Sequence, residues 1–291
     1  MAARAAGDER GHLQAVLSVR PGSEPSQRAA AEEHRTIEQP LFYLAAVVAV
    51  LITGISKSGF GGGLGVLAVP LMALYVSPLR AAAIMLPILC TMDLINVWVY
   101  RKKWDRPNIK ILLPPSLVGV AIGALTFRYL SDAHIRIIVG AIAVTFSVMF
   151  FLRRNNTERR GPSVVRGSFW GLVAGFVSFG VHAGAPPVNV YLLPQRLDKT
   201  TFVGTLVVMF AVVNYVKLIP YALLGQLDSA NLLTALALVP LIPVGTWLGV
   251  KLHHRIPERP FYLVCYCLLT LMGSKLLYDG FMDLWAKGAF S

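Results

Sequence analysis

The sequence predicts an all-α polytopic membrane protein of two pseudo-symmetric, inverted repeats. Each repeat is read as a glycine-broken helical hairpin plus three transmembrane helices. Three observations predict this. First, 55% of the 291 residues are apolar, 14% are charged, and the mean hydropathy is +0.61. Second, two glycine-rich breaks sit in matching places, Gly54-Ile-Ser-Lys57-Ser58-Gly59-Phe-Gly61-Gly-Gly63 and Gly175-Phe-Val-Ser178-Phe-Gly180-Val-His182-Ala-Gly184. Third, the charges cluster in short loops between apolar runs and are mostly basic, which is the signature of the positive-inside rule rather than of a nucleic-acid surface, despite a net charge of +12.

Residues 1–40 hold five Arg and six acidic groups and no apolar stretch long enough for a signal-peptide core. They read as a disordered tail, or as sequence ahead of the true translation start, and take no function. A spanning helix needs about 20 apolar residues. The runs 81–100, 109–127, 135–152, 201–224, 230–250 and 260–280 meet that length or come close. The runs 41–54, 60–76, 167–178 and 184–194 are shorter and flank the two breaks, like halves of helices. The predicted organisation is a first membrane repeat at 41–153, a basic cytoplasmic linker at 154–166, a second repeat at 167–281 and a C-terminal tail at 282–291. Trp98, Tyr100, Trp104, Tyr129, Tyr221, Trp247, Tyr278 and Trp285 flank the runs as interfacial aromatic belts do.

Slid by 121 positions, Gly54, Gly59 and Gly63 fall on Gly175, Gly180 and Gly184, and the match continues from Tyr100 to Tyr221. Beyond that the offset becomes 126, where Gly119 and Gly123 match Gly245 and Gly249, and Asp132 matches Glu258. If each broken region crosses the membrane an even number of times, each half has an odd number of crossings and the halves are inverted. One side then carries the basic residues of 101–110, 153–166, 196–199 and 251–259, and the other little beyond Arg80, Arg128, Arg136 and Lys287. A single crossing per break scatters these charges across both sides. The even arrangement obeys the positive-inside rule better and puts both termini outside.

Backbone broken inside an apolar run is tolerated only where it is buried in protein or lines a watery cavity. A pair of such breaks points to the substrate site of a secondary transporter. Ionisable residues within spans are functional candidates by default. Asp93, Asn96 and Tyr100 share one helix face, and Asn214, Lys217 and Tyr221 repeat the spacing 121 residues on. If both stripes face the centre, Asp93 and Lys217 balance each other; otherwise Lys217 snorkels to the surface. Lys57 and His182 lie in the breaks, where half-helix N-termini also turn free N–H groups inward. The centre is therefore electropositive and suits an anion. The candidate binding set is Lys57, Ser58, Gly59, Gly61, Gly63, Asn96, Gly180, His182, Gly184, Asn189, Asn214 and Lys217, with Ser56 and Ser178 in support. Asp93 and His182 are the candidate proton-coupling groups. On this reading Lys57→Ala weakens anion binding and leaves folding largely intact.

Gly119/Gly123 and Gly245/Gly249 read as close helix contacts, not ligand sites. Gly59 to Gly65 is no nucleotide loop, because Lys57 precedes the glycines. No metalloprotease, hydrolase or zinc motif is present, so an enzyme reading has no support, and neither metal nor cofactor is expected. Cys90, Cys265 and Cys267 lie in apolar runs as packing residues.

The opening Gly54-Ile-Ser-Lys-Ser-Gly59-Phe-Gly-Gly-Gly63 followed by Pro70, the half-repeat with its glycine-rich start at Gly171 to Gly184, and the basic loop Tyr100-Arg-Lys-Lys-Trp-Asp105 together resemble the TauE/SafE sulfite exporter family, also called the 4-toluene sulfonate uptake permeases. The resemblance covers about residues 41 to 280. It implies a multi-pass transporter of the cell membrane for sulfite, thiosulfate or organosulfonates, with lipid bilayer and anion as partners and no nucleic acid. The second motif departs from the more glycine-rich form at His182 and Ala185-Pro186-Pro187, which leaves the anion open. Another organic anion, a passive anion channel and a partner subunit remain alternatives, and a homo-oligomer stays open.

Overall fold

The computed structural model describes residues 40–59, 65–152, 160–252 and 258–286. All regular structure among them is helical. The long helices are α1 (Pro40–Gly59), α3 (Pro78–Val99), α4 (Arg106–Arg128), α5 (Asp132–Leu152), α6 (Val164–Val181), α8 (Lys199–Leu223) and α11 (Glu258–Ala286). Between α1 and α3 lies the five-residue α2 (Ala68–Met72), and between α6 and α8 the eight-residue α7 (Ala185–Leu192). The helices α9 (Ser229–Leu238) and α10 (Leu241–Leu252) complete the bundle. Six helices are long and apolar enough to cross a membrane, or seven counting the bent pair α9 and α10 as one span. The chain is thus a multi-pass membrane protein.

The sequence predicts one span at 230–250; the structure bends it by 47° between Leu238 and Leu241. Pro240 and Pro243 explain the bend, since each removes an N–H donor and crowds the carbonyl four residues earlier. The pieces around each break are also unequal rather than matched halves, with 20 and 5 residues in the first and 18 and 8 in the second. Helix α6 starts at Val164, inside the segment assigned to the linker, and α11 continues to Ala286, past 281.

Helix directions follow from which residues meet. Arg80 at the start of α3 donates to Asn231 at the start of α9. Tyr100 at the end of α3 donates to the Ser58 carbonyl near the end of α1. Helix α1 runs along α10 through Gly54 on Gly245 and Gly59 on Gly249. These helices therefore rise together. Helices α4, α6 and α8 run the other way, with Asp105 and Thr205 bonded at their starts and Tyr221 donating to the Phe179 carbonyl at their far side. Helix α5 lies antiparallel to α11, joined by Arg136 to Asp283 at one end and Ser147 to the Tyr266 carbonyl at the other. The basic loops near 101–108, 160–166 and 194–199 consequently share one end, tied by Asn108 to Gln195 and by the Arg160 N–H to the Pro194 carbonyl. Asp105 and Asp228 cap α4 and α9 through the N–H groups of Asn108 and Asn231, a matched pair of Asp-x-x-Asn caps. Asp198 caps α8, and its bonds from Thr201 hold the carboxyl below its ordinary range.

Trp98, Tyr129, Trp247, Tyr278 and Trp285 are exposed, as an aromatic belt requires. It fails for Tyr100 and Tyr221, which are buried because their hydroxyls serve the core. Cys90 is buried and Cys267 exposed, both as free thiols.

The paired glycines are helix-crossing points. A Cβ on Gly175 would collide with the Ser116 carbonyl oxygen, one on Gly119 with the Leu172 carbonyl, and one on Gly59 would sit 2.5 Å from the Gly249 carbonyl oxygen. Backbone carbonyls inside paired helices have little room to move, so a methyl group forces the helices apart. Gly161 has nothing within 4 Å. Gly175→Ala is therefore expected to destabilise the detergent-solubilised protein by about 1–3 kcal/mol. Gly161→Ala is expected to leave the thermal melting midpoint in place. Equal midpoints for the two variants would refute this packing role.

Candidate functional site

A helix that ends inside the bilayer leaves its last four carbonyls without intrahelical partners and without water. Both α1 and α6 end buried among other helices, where their last carbonyls are equally cut off from water, and the two polar stripes meet them. On α1, Tyr100 Oη donates to the Ser58 carbonyl at 2.7 Å. On α6, Tyr221 Oη donates to the Phe179 carbonyl at 2.6 Å and Lys217 Nζ to the Ser178 carbonyl at 2.9 Å. Asn96 instead takes a bond from the Ser58 hydroxyl at 2.9 Å. Both stripes thus face inward, the first of the two arrangements the sequence left open, and they support the breaks. The N-terminal side contributes less than predicted. At the start of α7, Pro186 and Pro187 carry no N–H, so Ala185 is the first-turn residue with a donor on the cavity.

The structure corrects how the charges pair. Asp93 does not pair with Lys217. Its Oδ1 meets Lys57 Nζ at 2.6 Å, as an ion pair rather than an aligned hydrogen bond, and its Oδ2 accepts from Asn214 Nδ2 at 2.7 Å. Lys217 does not snorkel; it is fully buried. Its Nζ lies within hydrogen-bond distance of the Ser178 carbonyl, of Ser178 Oγ at 3.1 Å and of His182 Nδ1 at 2.7 Å. His182 Nε2 lies 2.8 Å from the Ala82 carbonyl, which can only accept. His182 is therefore the neutral Nε2–H tautomer, with Nδ1 accepting from Lys217. It sits at φ 53°, the left-handed C-cap of α6, a conformation usually left to glycine. Its two side-chain bonds hold it there.

A cavity of about 40 Å³ opens between the two broken ends, room for roughly three waters. Its polar lining is Thr53, Lys57, Ser178, His182 and Asn214, against an apolar wall that includes Leu89, Val207 and Phe210. The polar groups present donors. Ser178 Oγ accepts from Lys217, which leaves its own hydrogen for a ligand. Asn214 Nδ2 spends one hydrogen on Asp93 and keeps a second. Thr53 Oγ1 is buried without a partner. Among the described residues no carboxylate lines the cavity. The arrangement suits a small oxyanion.

Of the predicted binding residues, Lys57, His182 and Asn214 line this cavity and Lys217 braces it from behind. Ser58 and Asn96 bond each other away from it. Gly59 and Gly180 are packing positions against Gly249 and Phe127, and Gly184 is the N-cap of α7 against Phe210. Asn189 lies on α7 outside the lining, with Oδ1 unpaired. Gly61 and Gly63 lie outside the described residues. Thr53 and the apolar wall were missed: a lone hydroxyl in an apolar helix has no sequence pattern to mark it.

A family model described as "Sulfite exporter TauE/SafE" matches residues 46–276. A curated protein, "Probable sulfite/organosulfonate exporter TauE" of Cupriavidus necator, is 26% identical over 167 residues, covering 55% of this chain and 64% of that protein. The chain therefore spans under two thirds of that relative. No solved structure matches.

The ion pair overturns the expectation that Lys57→Ala spares folding, because Asp93 is fully buried and would be left uncompensated. Breaking a buried pair from one side costs about 3–5 kcal/mol, whereas replacing both partners by apolar residues is far milder. Lys57→Met and Asp93→Leu should each lower the thermal midpoint steeply, and the double variant should recover most of the loss. Additive losses in the double variant would show that the two side chains do not act as a pair.

Proposed function

The chain belongs to the TauE/SafE sulfite exporter family, and on that premise we propose that it is a secondary transporter moving a small sulfur-containing anion across the cell membrane. The binding site proposed is the cavity between the broken ends of α1 and α6. One observation carries the reading: the cavity gathers the Lys57 ammonium, the hydroxyls of Thr53 and Ser178 and the Asn214 amide, with no carboxylate on its wall. Sulfite, thiosulfate and sulfonates each offer several oxygens to such donors. Aliphatic and aromatic side chains opposite would take the non-oxyanion part of an organosulfonate.

Among the described residues, three charges are buried: Lys57, Asp93 and Lys217. With both lysines protonated, two positive charges against one negative leave an excess that an anion neutralises. The curated relative is named as a sulfite/organosulfonate exporter. Substrate class and activity come to this chain from that likeness and from the donor set together.

We further propose that the two halves arose by duplication and inversion, so that the site alternates between the membrane faces as one half rocks against the other. In favour stand the offset of 121 between the bonds Tyr100 to Ser58 and Tyr221 to Phe179, and the opposed directions of α1 with α3 and α6 with α8.

Uptake of radiolabelled sulfite, thiosulfate and methanesulfonate into proteoliposomes tests the assignment, with acetate as the carboxylate control. Saturable flux for a sulfur anion, competed by the others and not by acetate, is the expected result. Thr53→Val and Ser178→Ala should each raise the half-saturation concentration by about 10-fold, one lost hydrogen bond to a charged ligand. Flux of acetate alone would keep a transporter and reject the sulfur anion.

A further inference from the structure

The transporter reading leaves the driving ion open, and the buried charges bear on it. Lys217 has no carboxylate within ion-pair distance among the described residues. The one buried acid, Asp93, is already held by Lys57 and Asn214. The titratable groups whose charges reach Lys217 from the packed elements are Cys90 and Asp93 on α3 and Lys57 on α1. His182 of the α6 cap touches it directly, and Tyr221 is one turn away on its own helix. Of these Asp93 is the carboxylic acid, and it is spent on another lysine. A buried ammonium without a counter-ion sheds its proton unless an anion arrives. The C-terminal carbonyls of α6 favour a cation but carry only about half a charge.

We infer that Lys217 carries the coupling proton, so that the anion and one proton bind together. The inference rests on the transport reading above. In the empty site the amine is neutral: Nζ donates to His182 Nδ1 and the Ser178 carbonyl, and its lone pair accepts from the Ser178 hydroxyl until an anion takes that hydrogen. An incoming anion at Ser178 is accompanied by a proton from the water of the open face, which adds to Nζ to form the ammonium. After the site turns, the anion leaves, the ammonium returns its proton to water on the second face, and the neutral site turns back. A monoanion thus crosses without net charge. Ser178 links the two events, since one oxygen accepts from Nζ and its hydrogen is available to the ligand. This moves the coupling role away from Asp93 and His182.

Methanesulfonate is the probe, because it stays a monoanion at every accessible pH and any pH dependence then belongs to the protein. Purified protein in weak buffer should take up about one proton per methanesulfonate bound. Affinity should fall about tenfold per pH unit once Lys217 has titrated in the empty site. An ordinary lysine stays charged to about pH 10 and would give a flat profile from roughly pH 6 to 9. Lys217→Arg keeps a permanent charge, so its binding should lose both the proton uptake and the slope. In proteoliposomes with the voltage clamped, it should still exchange labelled for unlabelled methanesulfonate but fail to accumulate it on a pH gradient. His182→Asn should keep the slope.

A flat wild-type profile, or a slope that persists in Lys217→Arg, would overturn the inference; a slope lost in His182→Asn alone would place the proton on His182 and overturn it too. Should Lys217→Arg fail to fold, the wild-type proton count and the His182→Asn slope still decide. Wild-type binding of acetate but of no sulfur anion would reject the substrate class, while proton uptake with acetate would still be read against Lys217. Absence of any anion binding would reject both readings.

Discussion

Two helices end buried among their neighbours, and the rest of the centre follows from that constraint. Carbonyls at the ends of α1 and α6 must find donors in the protein, because burial keeps water from them. Tyr100, Tyr221 and Lys217 supply them from neighbouring helices that run parallel to the broken ones. A phenol or ammonium reaching sideways into a helix end fixes α3 against α1 and α8 against α6. Close backbone contact then sets the remaining partners, and it requires glycine at the crossings of α1 with α10 and α4 with α6. The cavity is what remains between two ends that cannot be closed by continuing the helices.

The polar centre is therefore both scaffold and binding surface, and individual side chains serve both. Lys57 neutralises Asp93 and also faces the cavity. Lys217 caps α6 and also polarises Ser178. Loss of transport in a lysine variant is consequently ambiguous unless stability is measured beside it. Thr53 escapes the ambiguity: its hydroxyl is buried and unpaired, so its removal breaks no bond within the fold.

The sequence displayed the spans because hydropathy is a one-dimensional signal. It displayed the two stripes because polar residues at helical spacing stand out in apolar runs. The 230–250 bend was also written there, in Pro240 and Pro243, but a composition window averages over prolines. What no spacing reveals is which lysine meets Asp93. Lys57 and Lys217 both lie on elements that pack near α3, and the choice depends on helix rotation of a few tens of degrees. The cavity wall was equally hidden, since Leu89, Val207 and Phe210 look like any lipid-facing residues until their direction is known. The matched caps at Asp105 and Asp228 are legible in the repeated Asp-x-x-Asn at the two helix starts.

The contact between Asp93 and Asn214 bears on how an anion site could emerge from a duplicated helix set. These residues stand 121 apart, the offset of the proposed repeat, and they touch each other. A position that meets its own copy cannot keep a charge in both copies. Two aspartates at 2.7 Å would have to share a proton, as like charges in one site do. Two asparagines would leave Lys57 buried without a counter-ion. One acid and one amide satisfy both contacts. The same offset sets Lys57 against Ser178 and Asn96 against Lys217, so each half contributes one lysine from a different element. The single acid can neutralise only one of them. Divergence at three pairs of positions thus leaves one acid between two lysines, and the second lysine is matched only when an anion is bound.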